Sequence, residues 1–215
     1  MSNVARLGTL GLLLTLALIA WHSRQATSTE RVEVKSAPPQ AAPPCPWREP
    51  QADLQRFFPS ATQYQLETLI LSGARTELAQ RLGRIPTGDE NALHLYRALQ
   101  GATPLGCVLT RRVKGEHGAI ELVLGIDSQR RVCGARLQRL REPEPVASAL
   151  GRPEWLGSFI GKNVSSAWKI GVDLPQVPSA ALPSAEAIVE GARSLLVLAS
   201  VADHMEVSSH FAGHH

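Results

Sequence analysis

Residues 118–140 read GAIELVLGIDSQRRVCGARLQRL. The run bounded by Gly118 and Asp127 is short and apolar, the pattern of a buried strand. DSQR, 127–130, supplies a turn, and RRVCGARLQRL reads as the next strand. Upstream, LGCVLTRRV follows Thr103-Pro104 and reads as a strand too. Together these three predict an antiparallel meander, with Cys107 on its first strand and Cys133 on its third. Neighbouring strands lie about 4.8 Å apart, so two outer strands stand roughly twice that distance from one another, beyond disulfide reach. Both cysteines are therefore expected as free, packed thiols. An odd cysteine count, completed by Cys45, excludes full internal pairing. No C-x-x-C or C-x-x-C-H occurs, so a zinc knuckle or attached haem has no support.

Before the meander, ALHLYRAL, 92–99, alternates and reads as a further strand. QADLQRFF, 51–58, is a short amphipathic helix stopped by Pro59. Leu66, Leu69, Ile70, Ala74, Leu78 and Leu82 then recur at three- and four-residue steps, which predicts a helix ending near Gly83. RIPTGDEN is a loop by composition. After the meander comes the proline-broken loop REPEPVASALGRP, 141–153. PEWLGSFIGKN predicts a short helix with Trp155, Leu156 and Phe159 on one face, closed by Gly161. SAWKIGVDLPQVPSA is loop with at most one short strand. A closing helix is expected over 184–202, with Ser184 as its cap and Glu186 in its first turn. The small-residue loop Pro178-Ser179-Ala180-Ala181-Leu182 feeds that helix, a placement that suits anions.

The chain has 215 residues, 44% of them apolar, and a formal charge of +3. That suits a membrane anchor plus one domain. Without a Lys/Arg run, and with few aromatics, a nucleic-acid partner is not expected. LGTLGLLLTLALIAW, 7–21, carries no charge. With Val4 and Ala5 it approaches the roughly 20 residues of a membrane span, and Trp21 suits the interface. ALIAWHS offers no A-x-A site, so an uncleaved anchor is preferred to a signal peptide. Arg6 lies on one side of it and Arg24, Arg31 and Lys35 on the other, a count that leans against an N-in arrangement. The expected organisation is an anchor over 1–24, a proline-rich linker over 25–50, a helical lead-in over 51–90, an α+β domain over 91–202 and a polar, histidine-rich tail over 203–215. The fold class is thus α+β: a single transmembrane helix, then a small meander sheet with flanking helices.

Side chains suited to catalysis are sparse. His204, His210, His214 and His215 lie in the tail, without the spacing of a structured metal site. His117 stands in a turn with no evident partner, and Glu142 and Glu144 read as loop charges. No G-x-S-x-G or Cys–His motif is present, so no catalytic residue is assigned and no metal is expected.

The ordered series GEHGAIELVLGIDSQRRVCGARLQRLREPEP, PEWLGSFIGKN, AWKIG and PSAALPSAEAIVEGA resembles the FMN-binding domain of the G subunit of Rnf electron-transport complexes, related to the C subunit of sodium-pumping NADH:quinone reductase. The similarity spans roughly 104–200, and the anchor and the RFFP helix match that layout as well. The resemblance implies an inner-membrane protein with a periplasmic domain, in a complex that couples electron transfer between ferredoxin and NAD to ion movement. Its partners would be the other membrane subunits and lipid. The family carries an E-T-P-G-L-G loop after the third strand, with glycines that admit the flavin. Here it reads Glu142-Pro143-Glu144-Pro145-Val146-Ala147: the glutamate remains and both glycines are gone. The family's T-G-A-T-x-T loop holds FMN through its second threonine. With Pro183-Ser184-Ala185 as anchor, that threonine falls on Ala180 and the glycine on Pro178. A rival register lays EGAR, 190–193, on the motif and puts Arg193 at the threonine. Neither Ala180 nor Arg193 can form the phosphoester. The resemblance therefore implies an accessory subunit without covalent FMN. The alternatives are a subunit holding FMN non-covalently and a stand-alone, membrane-tethered periplasmic binding module.

Overall fold

The computed structural model of the chain describes residues 49–212 and, in the last helix, side chains as far as Met205. The expected anchor over 1–24 and nearly all of the linker lie outside the described residues. Among those described, no helix is long and apolar enough to cross a membrane.

The fold is α+β. Its elements run α1 (Gln51–Phe57), β1 (Gln63–Ile70), α2 (Arg75–Leu82), β2 (Ala92–Gln100), β3 (Thr103–Lys114), β4 (Ala119–Asp127), β5 (Val132–Leu140), α3 (Val146–Leu150), α4 (Pro153–Gly157) and α5 (Leu182–Ala212). The strands form one antiparallel sheet in the order β1-β2-β3-β4-β5. The meander predicted from 105–140 is its β3–β5 half. Cys107 pairs with Ile126 and Ile126 with Val132, so β4 separates the two cysteines. Both are free thiols. Burial pushes Cys107 up to about 12 and Cys133 up to about 11, so both stay protonated near neutrality and neither is an activated nucleophile.

The lead-in is not wholly helical. Residues 63–70 form a strand in unbroken register with β2, from Gln63 opposite Leu99 to Ile70 opposite Ala92. Leu66 and Ile70, which carried the helical spacing, are 60% and 62% exposed. They are therefore no buried helical stripe; their shared face is an artefact of a period of two meeting a period of four. The helix starts only at Arg75. It buries Leu78 and Leu82 and stops at Gly83 in the left-handed region, φ 73°, as the terminal glycine predicts.

Strand β4 is buried along nearly its whole length because both sheet faces are covered. On one face Leu109, Ile120, Leu122, Leu124 and Ile126 join Ile188, Leu195 and Leu198 of α5 in the main core. On the other, Ala98, Val108 and Val123 meet Leu54 of α1 and Phe58 just after it. Glycines set that second contact. Gly125 and Gly134 stand opposite one another on β4 and β5. A Cβ on Gly134 would lie 2.2 Å from the Phe57 ring, and one on Gly125 2.8 Å. Phe58 uses Gly106 the same way, at 2.7 Å. The RFFP segment is thus seated ring by ring on backbone. Asp53 adds a polar tie, accepting from Gln138 Nε2 at 3.2 Å and pairing with Arg136 Nε at 3.2 Å.

Helix α5 is longer than expected at both ends. It emerges from a 3₁₀ turn over Ser179–Ala181, in which the Leu182 N–H donates to the Ser179 carbonyl. The turn, not a serine cap, starts the helix, and Glu186 lies beyond the first turn. At the far end the helix continues through the expected tail to Ala212. There His204 Nδ1 lies 2.9 Å from Arg81 Nη2, so this histidine docks on α2. His210, His214 and His215 are outside the described side chains.

One buried carboxylate ties α5 to the sheet. Glu90 is fully buried. Its oxygens accept from Arg84 at 2.7 and 2.8 Å, Arg111 at 2.8 Å, Ser194 Oγ at 2.6 Å and the Thr87 N–H at 2.7 Å. Burial alone would raise its pKa, but these donors hold it far below the usual carboxylate range.

Candidate functional site

The two loops singled out by sequence are neighbours. Helix α3, which follows the Glu142 loop, packs against the Ser179–Ala181 turn. Between them lies a second buried carboxylate. The Glu142 side chain is inaccessible to solvent. Ser184 Oγ donates to its Oε1 at 3.0 Å, and His117 Nδ1 lies 2.9 Å from its Oε2. The His117 backbone N–H reaches both oxygens at 3.3 Å. Ser184 Oγ in turn accepts from the Glu116 N–H at 2.8 Å. A Cβ on Gly115 would stand 2.1 Å from Glu142 Oε1, so glycine is what lets the turn wrap the carboxylate.

Three segments are thus pinned at one point: the β3–β4 turn, the loop after β5 and the first turn of α5. Glu142 is no solvated loop charge, and His117 has a partner after all. Burial raises the Glu142 pKa, but hydrogen bonds from His117 and Ser184 outweigh it and hold the carboxyl below its ordinary value. The arrangement is not a hydrolytic triad. The carboxylate stands between the serine and the histidine, so the histidine cannot take the serine proton. Its evident work is positional.

The pieces that would hold a flavin phosphate are weak here. Ala180 is exposed and offers no hydroxyl. Pro178 and Pro183 lack N–H groups. The Ala181 and Leu182 N–H groups are engaged by the carbonyls of Pro178 and Ser179. Ser184 is committed to Glu142. Across the contact, residues 146–150 form the helix α3, with Val146 buried. The residues present do not fit a covalently held FMN. The rival register fares no better: 190–193 lie inside α5, where Gly191 packs on Val113 and Arg193 donates to the Leu82 and Arg81 carbonyls.

Two cavities lie elsewhere. One, of about 620 Å³, opens where β2 parts from β3 and is lined by Leu66, His94, Tyr96, Thr110, Arg111 and Leu195. The other, of about 550 Å³, runs between β5 and α4, with Phe57, Cys133, Arg136, Leu156 and Ile160. Neither is lined by Glu142, Ala180 or Ser184. Among the described residues no group of three or more His, Cys, Asp and Glu side chains is placed to hold a metal.

No family model and no curated protein matches the chain. The likeness to the Rnf G subunit therefore rests on the ordered residues quoted above.

Proposed function

We propose that this protein is a membrane-anchored accessory subunit of an Rnf-like complex, with its folded domain in the periplasm and no covalent flavin. The observation that supports this reading is the pairing of a retained frame with an altered attachment point. The facing loops after β5 and before α5 are held together by Glu142 and Ser184, while the linking position is Ala180 and the facing glycines are replaced by Pro145 and Ala147. Electrons would pass this subunit by, or reach neighbours close enough to bridge it. Its role is then to dock the electron-carrying subunits, which requires a rigid domain and a tether but no redox centre of its own.

The test is copurification of the tagged full chain from membranes in mild detergent, followed by intact-mass measurement. Recovery of other membrane subunits, with a subunit mass equal to the bare polypeptide, supports the proposal. A tagged chain that brings down no membrane subunit refutes the complex and leaves the stand-alone binding module. A yellow colour that is lost on denaturation supports the non-covalent flavoprotein instead.

A further inference from the structure

The two edges of the sheet are treated differently. Strand β5 is guarded: its register with β4 is broken in two places, Arg136 and Arg139 lie along it, and Val132 is bonded on its outer side to Gly161 and Lys162. Each is a known defence against edge pairing. Among the described residues strand β1 has none of them. Gln63–Ile70 contains no proline, lysine or arginine, and its ladder with β2 is unbroken.

The register shows which groups face outward. Leu71 donates its N–H to Asn91 O, so the inward bonds fall on odd-numbered residues. The N–H and C=O groups of Tyr64, Leu66, Thr68 and Ile70 therefore point away from β2. Leu66 and Ile70 also carry large, mostly exposed side chains on one face.

We infer that β1 pairs antiparallel with β1 of a second copy of this chain, with Leu66 on the two-fold axis. The argument for a second copy is chemical self-complementarity. A strand meeting itself brings each residue near its own equivalent, so an uncompensated charge would repel. The one charged residue of β1, Glu67, is held in-chain by Arg97 at 2.7 and 2.9 Å. With Leu66 on the axis, Gln65 lies opposite Glu67 of the second copy, an amide beside a carboxylate, and this recurs by symmetry. Leu66 meets Leu66 of the second copy, and Tyr64 lies beside its Thr68. Tyr64, Leu66 and Thr68 then fall in hydrogen-bonded pairs, while Ile70 lies opposite Thr62, whose N–H is kept in-chain by the Leu99 carbonyl, and two five-stranded sheets become one. Such an isologous contact closes on itself and does not propagate.

The experiment uses the purified full chain across a dilution series, with its mass read by light scattering corrected for detergent. The expected result is a dimer. Thr68→Pro removes one outward N–H and no inward ladder bond; Leu66→Lys sets two like charges on the axis. Each should shift dissociation to at least tenfold higher concentration. Circular dichroism matching the parent shows that the fold is intact, and Leu66→Lys, exposed in the monomer, guards against a folding failure in the proline variant. A third variant, Leu66→Cys in a Cys45→Ser background, should give an oxidised covalent dimer that the background lacks, because opposed Cα atoms about 5.5 Å apart lie within disulfide reach. A monomeric parent chain, a dimer that survives both edge variants, or no Leu66→Cys crosslink would overturn the inference.

Discussion

Glu90 and Glu142 are both carboxylates without solvent contact, yet they are stabilised in opposite ways. Glu90 faces two guanidiniums, Arg84 and Arg111, in the body of the fold. Among the described residues Glu142 faces no arginine; a serine, a backbone N–H and the half-exposed ring of His117 satisfy it. The first arrangement compensates a buried charge fully and locks α5 to β3. The second holds three loops together with weaker donors at the edge of the domain. A buried acid alone therefore does not mark a functional site. Its partners do, because a site held without a guanidinium at the domain edge can be altered without collapsing the core.

The comparison can be broken in four ways, from the largest expected effect down. Glu90→Gln leaves Arg84 and Arg111 facing a neutral amide, and removing one side of a buried ion pair typically loses about 3–5 kcal/mol. Urea unfolding should show that loss, and a change under about 1 kcal/mol would mean the cluster is not a lock. Gly115→Ala forces a methyl onto Glu142 and should lose about 1–3 kcal/mol. Part of that loss should vanish when Glu142 is also truncated, and strict additivity would separate the turn from the carboxylate.

Third, Glu142→Gln should lose about 1–2 kcal/mol at neutral pH. Because the folded carboxyl lies below its unfolded value, its contribution is full above about pH 4.3 and is lost as the pH falls through the folded value. The gap between parent and variant should thus be flat near neutrality and close in acid. A gap that widens in acid would reverse the assigned shift. Fourth, Ala180→Thr introduces a hydroxyl on an exposed turn and should leave stability unchanged. It should also fail to bind flavin covalently, because the loop facing it carries Pro145 and Ala147 rather than glycines; flavin fluorescence on a denaturing gel from this single variant would refute the two-loop account.

The meander was legible because β4 is buried on both faces, so its apolar run needs no periodicity to be read. The α4 turn and the Gly83 stop were legible from local chemistry in the same way. Strand β1 was not, since Leu66 and Ile70 are four apart and mimic a helix, while the signal that matters, pairing with β2, lies about thirty residues away. The Ser184 cap was a sound local reading that tertiary structure overrode: its hydroxyl turns to Glu142, forty-two residues distant. Glu142 and Ser184 both stood out in the sequence, but nothing local joins them, and a glycine such as Gly115 beside an acidic turn does not say which carboxylate it admits.

The seating of Phe57 and Phe58 on Gly134, Gly125 and Gly106 has a mechanical consequence. Any pull transmitted along the chain from before residue 49 reaches the sheet through α1, and so through two rings keyed across β3, β4 and β5. Such a pull loads three strands at once rather than unzipping one. A load applied from that side would therefore be borne without the edge of the sheet being peeled.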